Sequence, residues 1–350
     1  MKLAVGEKPK CLREIEKHRV LYRQKNLKYV KNNWVFYWRF LCRLEAIGYR
    51  PSTISRYYSQ IKLFLNWLGS KSLRHVKKKE IESYITHLKS SKRYKLYTMR
   101  YHREALCVFF EFVMRFSRMK VNPASNLAVR THYPQPENMD FFIQSELEMM
   151  IAKPKLELER TRRCNFKTDH SFKRKIYTLK MERLVLKILF STGIRPCELS
   201  NMEIEDFRLS DLKLRIRSKG SQQYIVQDRN VFISEKTAEE LQETIRLQQG
   251  IRTPHSGTYL FIHHNGWKFS RCEPSRIVRY WASRCAINRR VYAYMTRYTY
   301  CTRLVENGID AYSLKKLMGH KQLAVTLRHY LKLTPTEIRK EWRQFNPLKG

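Results

Sequence analysis

Four short segments of this 350-residue chain carry side chains that could act together on a phosphate ester. They are "TGIRPCEL" (192–199), "RSKGS" (217–221), "YMTRYTYCTRLVENG" (294–308) and "LMGHKQLAVTLRHY" (317–330). The side chains of interest are Arg195 and Glu198, Lys219, Tyr294 and Arg297, His320, and Tyr330. Two guanidiniums can clamp the non-bridging oxygens of a phosphodiester with paired, charge-assisted bonds, and they keep their protons at any working pH. A lysine on a turn can hand a proton to a departing alkoxide. A phenol, with a pKa of about 10, must lose or share its proton before it can attack, and an imidazole nearby assists. Each residue by itself has a plainer explanation. Arg195 could be a solvated arginine at a helix end, Lys219 one lysine among many on a basic turn, and Arg297 one arginine among several on a basic helix. The Gly319–His320 pair could mark a helix stop. Tyr330 is one of 21 tyrosines, and helical spacing puts it on one face with Leu323, Thr326 and Leu327, which suits a core position.

The elements that must hold these groups can be read from periodicity. Residues 33–125 read as four helices with short links, an all-α bundle. "WVFYWRFLCRLEAIG" is apolar and ends on a glycine suited to a C-cap. "SRYYSQIKLFLNWLG" places Ile54, Tyr58, Ile61, Leu65 and Leu68 at helical spacing. "EIESYITHL" is shorter, and "YTMRYHREALCVFFEFVMRF" points Leu106, Phe109, Phe110, Val113 and Met114 inward. Residues 126–140, with three prolines in 121–140, read as a linker, and 141–350 as a mixed α+β domain. There "KMERLVLKILFSTGIRPCELSNM" is helical until Gly193, and "LKLRIR" (212–217) alternates as a half-exposed strand. "SKGSQQ" turns, with "YIV" and "NVFIS" as return strands. Residues 153–175 carry nine basic and three acidic side chains without a clear apolar face, which predicts a basic loop or disordered insertion. Residues 1–32, with ten Lys or Arg against three Glu, read as a basic arm. In "LTPTEIRKEWRQF", Thr334 as N-cap, Pro335 and Glu337 open a helix over 335–345, with Ile338, Trp342 and Phe345 as its stripe.

Composition narrows the partner. Seventy basic against 31 acidic side chains give a formal charge of +39. Self-repulsion of that size calls for a polyanion. The positive charge is spread through apolar-patterned segments rather than collected in a tail, which favours a long phosphate-facing surface on nucleic acid over an anionic membrane surface. "RPSTISRYY" and "KRYKLYTMRYHR" offer Arg50, Ser52, Thr53, Arg56, Lys95, Arg100 and Arg103 at helix starts, where free backbone N–H groups also bind phosphate. The eight cysteines contain no CxxC pair and read as thiols of a reducing compartment. There is no run of 18 apolar residues, and "MKLAVGEKPK" is too short in apolar stretch for a secretory signal. The expected location is intracellular: cytoplasmic, associated with the nucleoid, with no membrane partner.

The four segments, in this order and behind a helical domain, resemble the tyrosine recombinase family of phage integrases and Xer-like proteins. The "NP" at Asn122 and Pro123 resembles the close of that family's core-binding domain. The resemblance implies a helical core-binding domain and a mixed α+β catalytic domain closing as a C-shaped clamp on double-stranded DNA. Arg195 matches the first catalytic arginine of a T-G-x-R-x-x-E-L pattern, and Glu198 its acidic support. Lys219 matches the lysine of a β-hairpin turn, Arg297 the arginine of an H-x-x-R pattern, His320 the histidine of L-G-H, and Tyr330 the nucleophile. That nucleophile would form a 3′-phosphotyrosine and release a 5′-hydroxyl, with no cofactor or metal. The covalent bond would keep the energy needed for rejoining. Tyr294 stands where the family usually has histidine; it can donate a hydrogen bond but carry no charge. Met318 replaces a leucine at similar volume. The resemblance further implies a homotetramer on an inverted-repeat-type site, with the 335–345 helix exchanged in trans; packing in cis is the alternative. The basic arm and the 153–175 insertion point to a mobile element. Rival readings are a catalytically inactive DNA-bound regulator, suggested by Tyr294, and a type IB topoisomerase.

Overall fold

A computed structural model describes residues 11–16, 33–91, 94, 96–117, 119–125, 127, 140–163, 169–217, 228–320 and 322–330; at 96, 97, 163, 169 and 328–330 it describes the backbone alone. The chain divides into two compact units between Tyr133 and Pro134.

The first unit is helical throughout its described part. It contains α1 (Asn33–Ala46), α2 (Pro51–Leu68), α3 (Lys78–Ser90) and α4 (Leu96–Met114). A helical stretch at 11–16 adds Ile15 to the core. Proline opens α2 at a position where its missing N–H costs nothing, and Gly69 closes it at φ 65°, donating to Leu65 O. The core is unusually aromatic: Phe36, Tyr37, Phe40, Phe64, Tyr84, Phe109 and Phe110 are all sealed from solvent. Tyr57 and Phe64, not Tyr58, complete the inward stripe of α2. Tyr58 is half-buried and donates its hydroxyl to Glu14 at 2.5 Å. Met114 is likewise only half-buried, whereas Leu106, Phe109, Phe110 and Val113 are fully inside.

The second unit begins with α5 (Gln144–Arg163) and α6 (Asp169–Thr192). This overturns the expected loop or disordered insertion at 153–175 wherever that stretch is described. Met150, Pro154, Leu158 and Thr161 form a buried stripe at helical spacing. Its second member is a proline, which reads in sequence as a breaker. Glu157 pairs with Arg284 across the unit. α6 is the central element: Leu184, Val185, Leu186, Ile188 and Leu189 are buried on consecutive faces, so no single apolar stripe stands out in its sequence.

After α6 come a short α7 (Pro196–Leu199) and a three-stranded antiparallel sheet, β1 (Phe207–Arg208), β2 (Lys213–Ile216) and β3 (Arg229–Phe232). The register pairs Leu214 with Val231 and Ile216 with Arg229. Leu214, Ile216 and Val231 face the core. The "YIV" return strand lies outside the described residues. The unit continues with α8 (Glu235–Gln248), α9 (Glu273–Arg284), α10 (Tyr294–Glu306), α11 (Ala311–Met318) and α12 (Leu323–Tyr330). The seven described cysteines are free thiols. Among the described residues, no helix is long and apolar enough to cross a membrane. The expected 335–345 helix lies outside the described residues.

Candidate active site

Gly193 ends α6 at φ 59°, and a β-carbon there would lie 2.4 Å from Tyr300 Cδ1. The chain then extends through Arg195, which caps α7 with Pro196 at its first position. Glu198 sits one turn on. Its Oε2 accepts the Arg195 backbone N–H at 2.9 Å and its Oε1 accepts Arg195 Nη1 at 2.8 Å. One carboxylate thus fixes both the turn and the guanidinium it presents. The Arg195 side chain is 29% exposed.

Arg297, on the buried face of α10, is only 3% exposed. Its Nη1 donates to Gly193 O at 2.8 Å and its Nη2 to Met318 O at 2.6 Å. A third arginine joins them. Strand alternation puts Arg229 on the same inward face of β3 as Val231. Its Nη2 donates to Glu198 Oε2 at 2.6 Å and its Nε to Leu317 O at 3.0 Å. Arg195 Nη2 reaches Gly319 O at 3.4 Å. Three successive carbonyls, of residues 317, 318 and 319, therefore each accept from a different arginine. They lie at the C-terminal end of α11, where carbonyls lack helical partners and the helix dipole is negative. That end receives the three cations and so lowers their mutual repulsion. Gly319 closes α11 in the left-handed region, and a β-carbon on it would stand 3.0 Å from Arg229 Cδ and Nη1.

The charges set one another. Burial raises the Glu198 pKa, but Arg229 and Arg195 outweigh it and hold the carboxyl at about 2. Burial lowers Arg195, yet Glu198 and the Tyr294 hydroxyl more than reverse this. Arg297 is brought down to about 10, first by burial and then by repulsion from Arg195, and stays cationic at neutral pH. Tyr294, at the start of α10, is 40% exposed. His320 directly follows the carbonyl cluster. Its Nδ1 lies 2.9 Å from the hydroxyl of Thr326, which is fully buried on α12. This orients the ring and ties the turn to the helix that ends at Tyr330. α12 packs on α10 and α11.

The fold thus gathers Arg195, Glu198, Tyr294, Arg297 and His320 around one helix terminus. It places the Tyr330 backbone at the end of α12; the Tyr330 side chain and Lys219 lie outside the described residues. Two residues before Lys219 in the sequence, Arg217 Nε is held by Asp206 Oδ1 at 2.8 Å and its Nη1 by Glu203 at 2.9 Å. Sequence reading missed Arg229 and the part played by Thr326. For Arg229 a signal existed: if Val231 of "NVFIS" faces inward, so does the residue two before it. A hydroxyl partner for His320 leaves no such trace.

In the first unit, Ser52 and Arg56 are exposed, and Arg50 and Thr53 partly so. The Arg56 guanidinium lies over the rings of Tyr57 and Tyr101, at 5.3 and 5.4 Å. Arg100 pairs with Glu104 at 2.9 Å. Arg103 departs from the expected display: half-buried, it donates to Ser125 O at 3.4 Å and so braces the chain after α4. Lys95 lies outside the described residues.

Residues 168–337 match the phage integrase family, and residues 36–116 match the phage integrase N-terminal SAM-like domain. The chain is 24% identical to tyrosine recombinase XerC of Staphylococcus haemolyticus over 305 residues, 86% of this chain and 92% of that protein. It is 28% identical to tyrosine recombinase XerD of Staphylococcus epidermidis over 166 residues, which is 47% of this chain and about half (55%) of that protein's length. In fold it is similar to XerH site-specific recombinase bound to difH substrate, with a TM-score of 0.61, 18% identity, and 97% and 98% of the two chains covered. A lambda integrase dimer bound to a COC′ core site gives a TM-score of 0.61 at 16% identity, over 93% and 81% of the chains. Two phage integrase domains in the order of the two units, and similarity to XerC along most of the chain, place this protein in the tyrosine recombinase (phage integrase) family.

Proposed function

We propose that this protein is a site-specific DNA recombinase that cuts and rejoins strands through a 3′-phosphotyrosine on Tyr330. The observation that carries the proposal is the arginine cluster on the α11 terminus, with Glu198 and His320 beside it, in a chain of this family. The Tyr330 oxygen attacks phosphorus, and the bond to the 5′-oxygen breaks. Lys219 gives that oxygen its proton, and the phenol's proton passes toward His320. Arg195 and Arg297 meet the charge that grows on the non-bridging oxygens, and Tyr294 adds a neutral hydrogen bond. A 5′-hydroxyl of a partner strand reverses the step, so the phosphodiester energy is conserved.

DNA is held by positive charge, with Arg50, Ser52, Thr53, Arg56, Lys95 and Arg100 of the helical unit on phosphates. Binding should weaken with salt at a log–log slope of about −0.9 per phosphate neutralised. The two units close as a C-shaped clamp around a duplex. Four copies assemble on inverted repeats and exchange the 335–345 helix, in the service of a mobile element. Support for DNA as substrate comes from the charge of +39 and from the named relatives whose structures contain DNA. Duplexes spanning the ends of the DNA that carries its gene, nicked near the cut to trap the intermediate, test the reading. Wild type should give a covalent protein–DNA adduct and Tyr330→Phe none. An adduct from Tyr330→Phe contradicts the nucleophile. No adduct from wild type, with DNA bound, favours the regulator, and catalytic relaxation of a plasmid favours the topoisomerase.

A further inference from the structure

We propose that Arg229 is a positioning residue of this site, the brace that locks Glu198 to the turn carrying His320. The inference rests on the function proposed above for what the site does, but not for how the site is built. Arg229 is anchored on β3, opposite Ile216. From there it makes two contacts: Glu198 on α7 at 2.6 Å and the Leu317 carbonyl on α11 at 3.0 Å. Glu198 in turn fixes Arg195 by its backbone and its guanidinium. The Leu317 carbonyl lies three residues before His320, and Gly319 packs against the Arg229 side chain. One guanidinium therefore joins the arginine-bearing turn to the histidine-bearing turn by bonds shorter than the 3.4 Å contact of Arg195 with Gly319 O.

The geometry explains why the brace is an arginine. The two acceptors lie on different elements, and a planar fork with an additional Nε–H can serve both at fixed angles. An ammonium group would keep the charge beside Glu198 yet could not hold both directions. The Arg229 side chain is 15% exposed and that of Glu198 10%, so the pair is shielded from competing water. The β3 strand that anchors Arg229 also pairs antiparallel with β2, which ends three residues before Lys219 in the sequence. Arg229 thus links the hairpin's return strand, the Arg195 turn and the His320 turn in one set of bonds.

The test compares wild type, Arg229→Lys and, as a control, Arg276→Lys, which alters an arginine bound to Glu182 in the same unit. Four properties are read: thermal melting, the NMR signal of the His320 ring, the rate of covalent adduct on nicked DNA, and affinity for that DNA. With folding retained, Arg229→Lys should move the His320 signal and slow adduct formation by about tenfold or more, the order expected when a reacting group is slightly misplaced. DNA affinity should hardly change, and the control should leave the His320 signal, the adduct rate and the DNA affinity as in wild type. A His320 signal unchanged in Arg229→Lys overturns the proposal, as does a loss of DNA affinity equal to the loss of rate, which would make Arg229 a phosphate contact. If wild type forms no adduct, the proposed function fails, while the His320 signal still decides the role of Arg229. Should Arg229→Lys not fold, Arg229→Gln, a shorter neutral side chain whose single amide nitrogen cannot serve both acceptors, takes its place under the same criteria.

Discussion

Two pairs of arginines, one in each unit, live under opposite conditions. In the helical unit, Arg56 and Arg100 lie on the outside, one over the rings of Tyr57 and Tyr101, the other paired with Glu104 along its own helix. In the second unit, Arg229 and Arg297 are turned inward and bonded to backbone carbonyls from a distant part of the chain. Exposed charges are screened by salt and replaceable one by one. Buried guanidiniums with fixed acceptors are neither, because removing one leaves carbonyls or a carboxylate without a partner. The same residue type is thus displayed to solvent at Arg56 and Arg100 and locked into the fold at Arg229 and Arg297. The charge of +39 gives no hint of that division.

The largest effect should follow from Arg297→Lys, which keeps the charge but breaks the fork between the Gly193 and Met318 carbonyls. Adduct formation should fall by about 10²–10³-fold, roughly 3–4 kcal/mol, with DNA binding little altered in a gel-shift titration. Next comes Glu198→Gln, expected to cost on the order of 3 kcal/mol of stability at neutral pH by thermal or denaturant melting. Folding lowers this carboxyl from 4.5 to about 2. Its contribution is thus complete above pH 4.5 and is lost as pH falls through about 2, so the gap between wild type and variant should close over that window. Arg56→Ala should weaken DNA binding only a few-fold and reduce the salt slope by about one. A change of similar size belongs to Tyr294→Phe, about fivefold in cleavage, the worth of one neutral hydrogen bond. If Arg56→Ala abolished cleavage, or Arg297→Lys altered only the salt slope, the contrast between the units would be wrong.

How much of this was legible in the sequence depended on whether a residue's role lay in a local pattern. Arg195, Glu198, Arg297 and His320 stand in short segments of recognisable order, and the fold brings them together. The inward face of α4 followed from periodicity, because a bundle helix buries one stripe. Residues 153–175 misled because the stripe of α5 is thin and includes Pro154. α6 has no stripe to find, being buried on most faces. Arg229 and the Leu317–Gly319 carbonyls could not be paired from sequence, since 88 residues separate Arg229 from Leu317 and backbone acceptors carry no residue signature. Arg103, expected on phosphate, is half-buried and also donates to Ser125 O, a backbone partner that its place in the sequence does not announce.

The claim that Tyr330 is the nucleophile, served by the cluster at the α11 terminus, is tested most directly by locating the covalent link. Wild-type protein is trapped on nicked duplex, digested, and the DNA-bearing peptide sequenced by mass spectrometry. The account predicts a single phosphodiester joining a DNA 3′ end to the oxygen of Tyr330, released when a strand with a free 5′-hydroxyl is supplied. A link on Tyr294, on any other residue, or to a DNA 5′ end would contradict it.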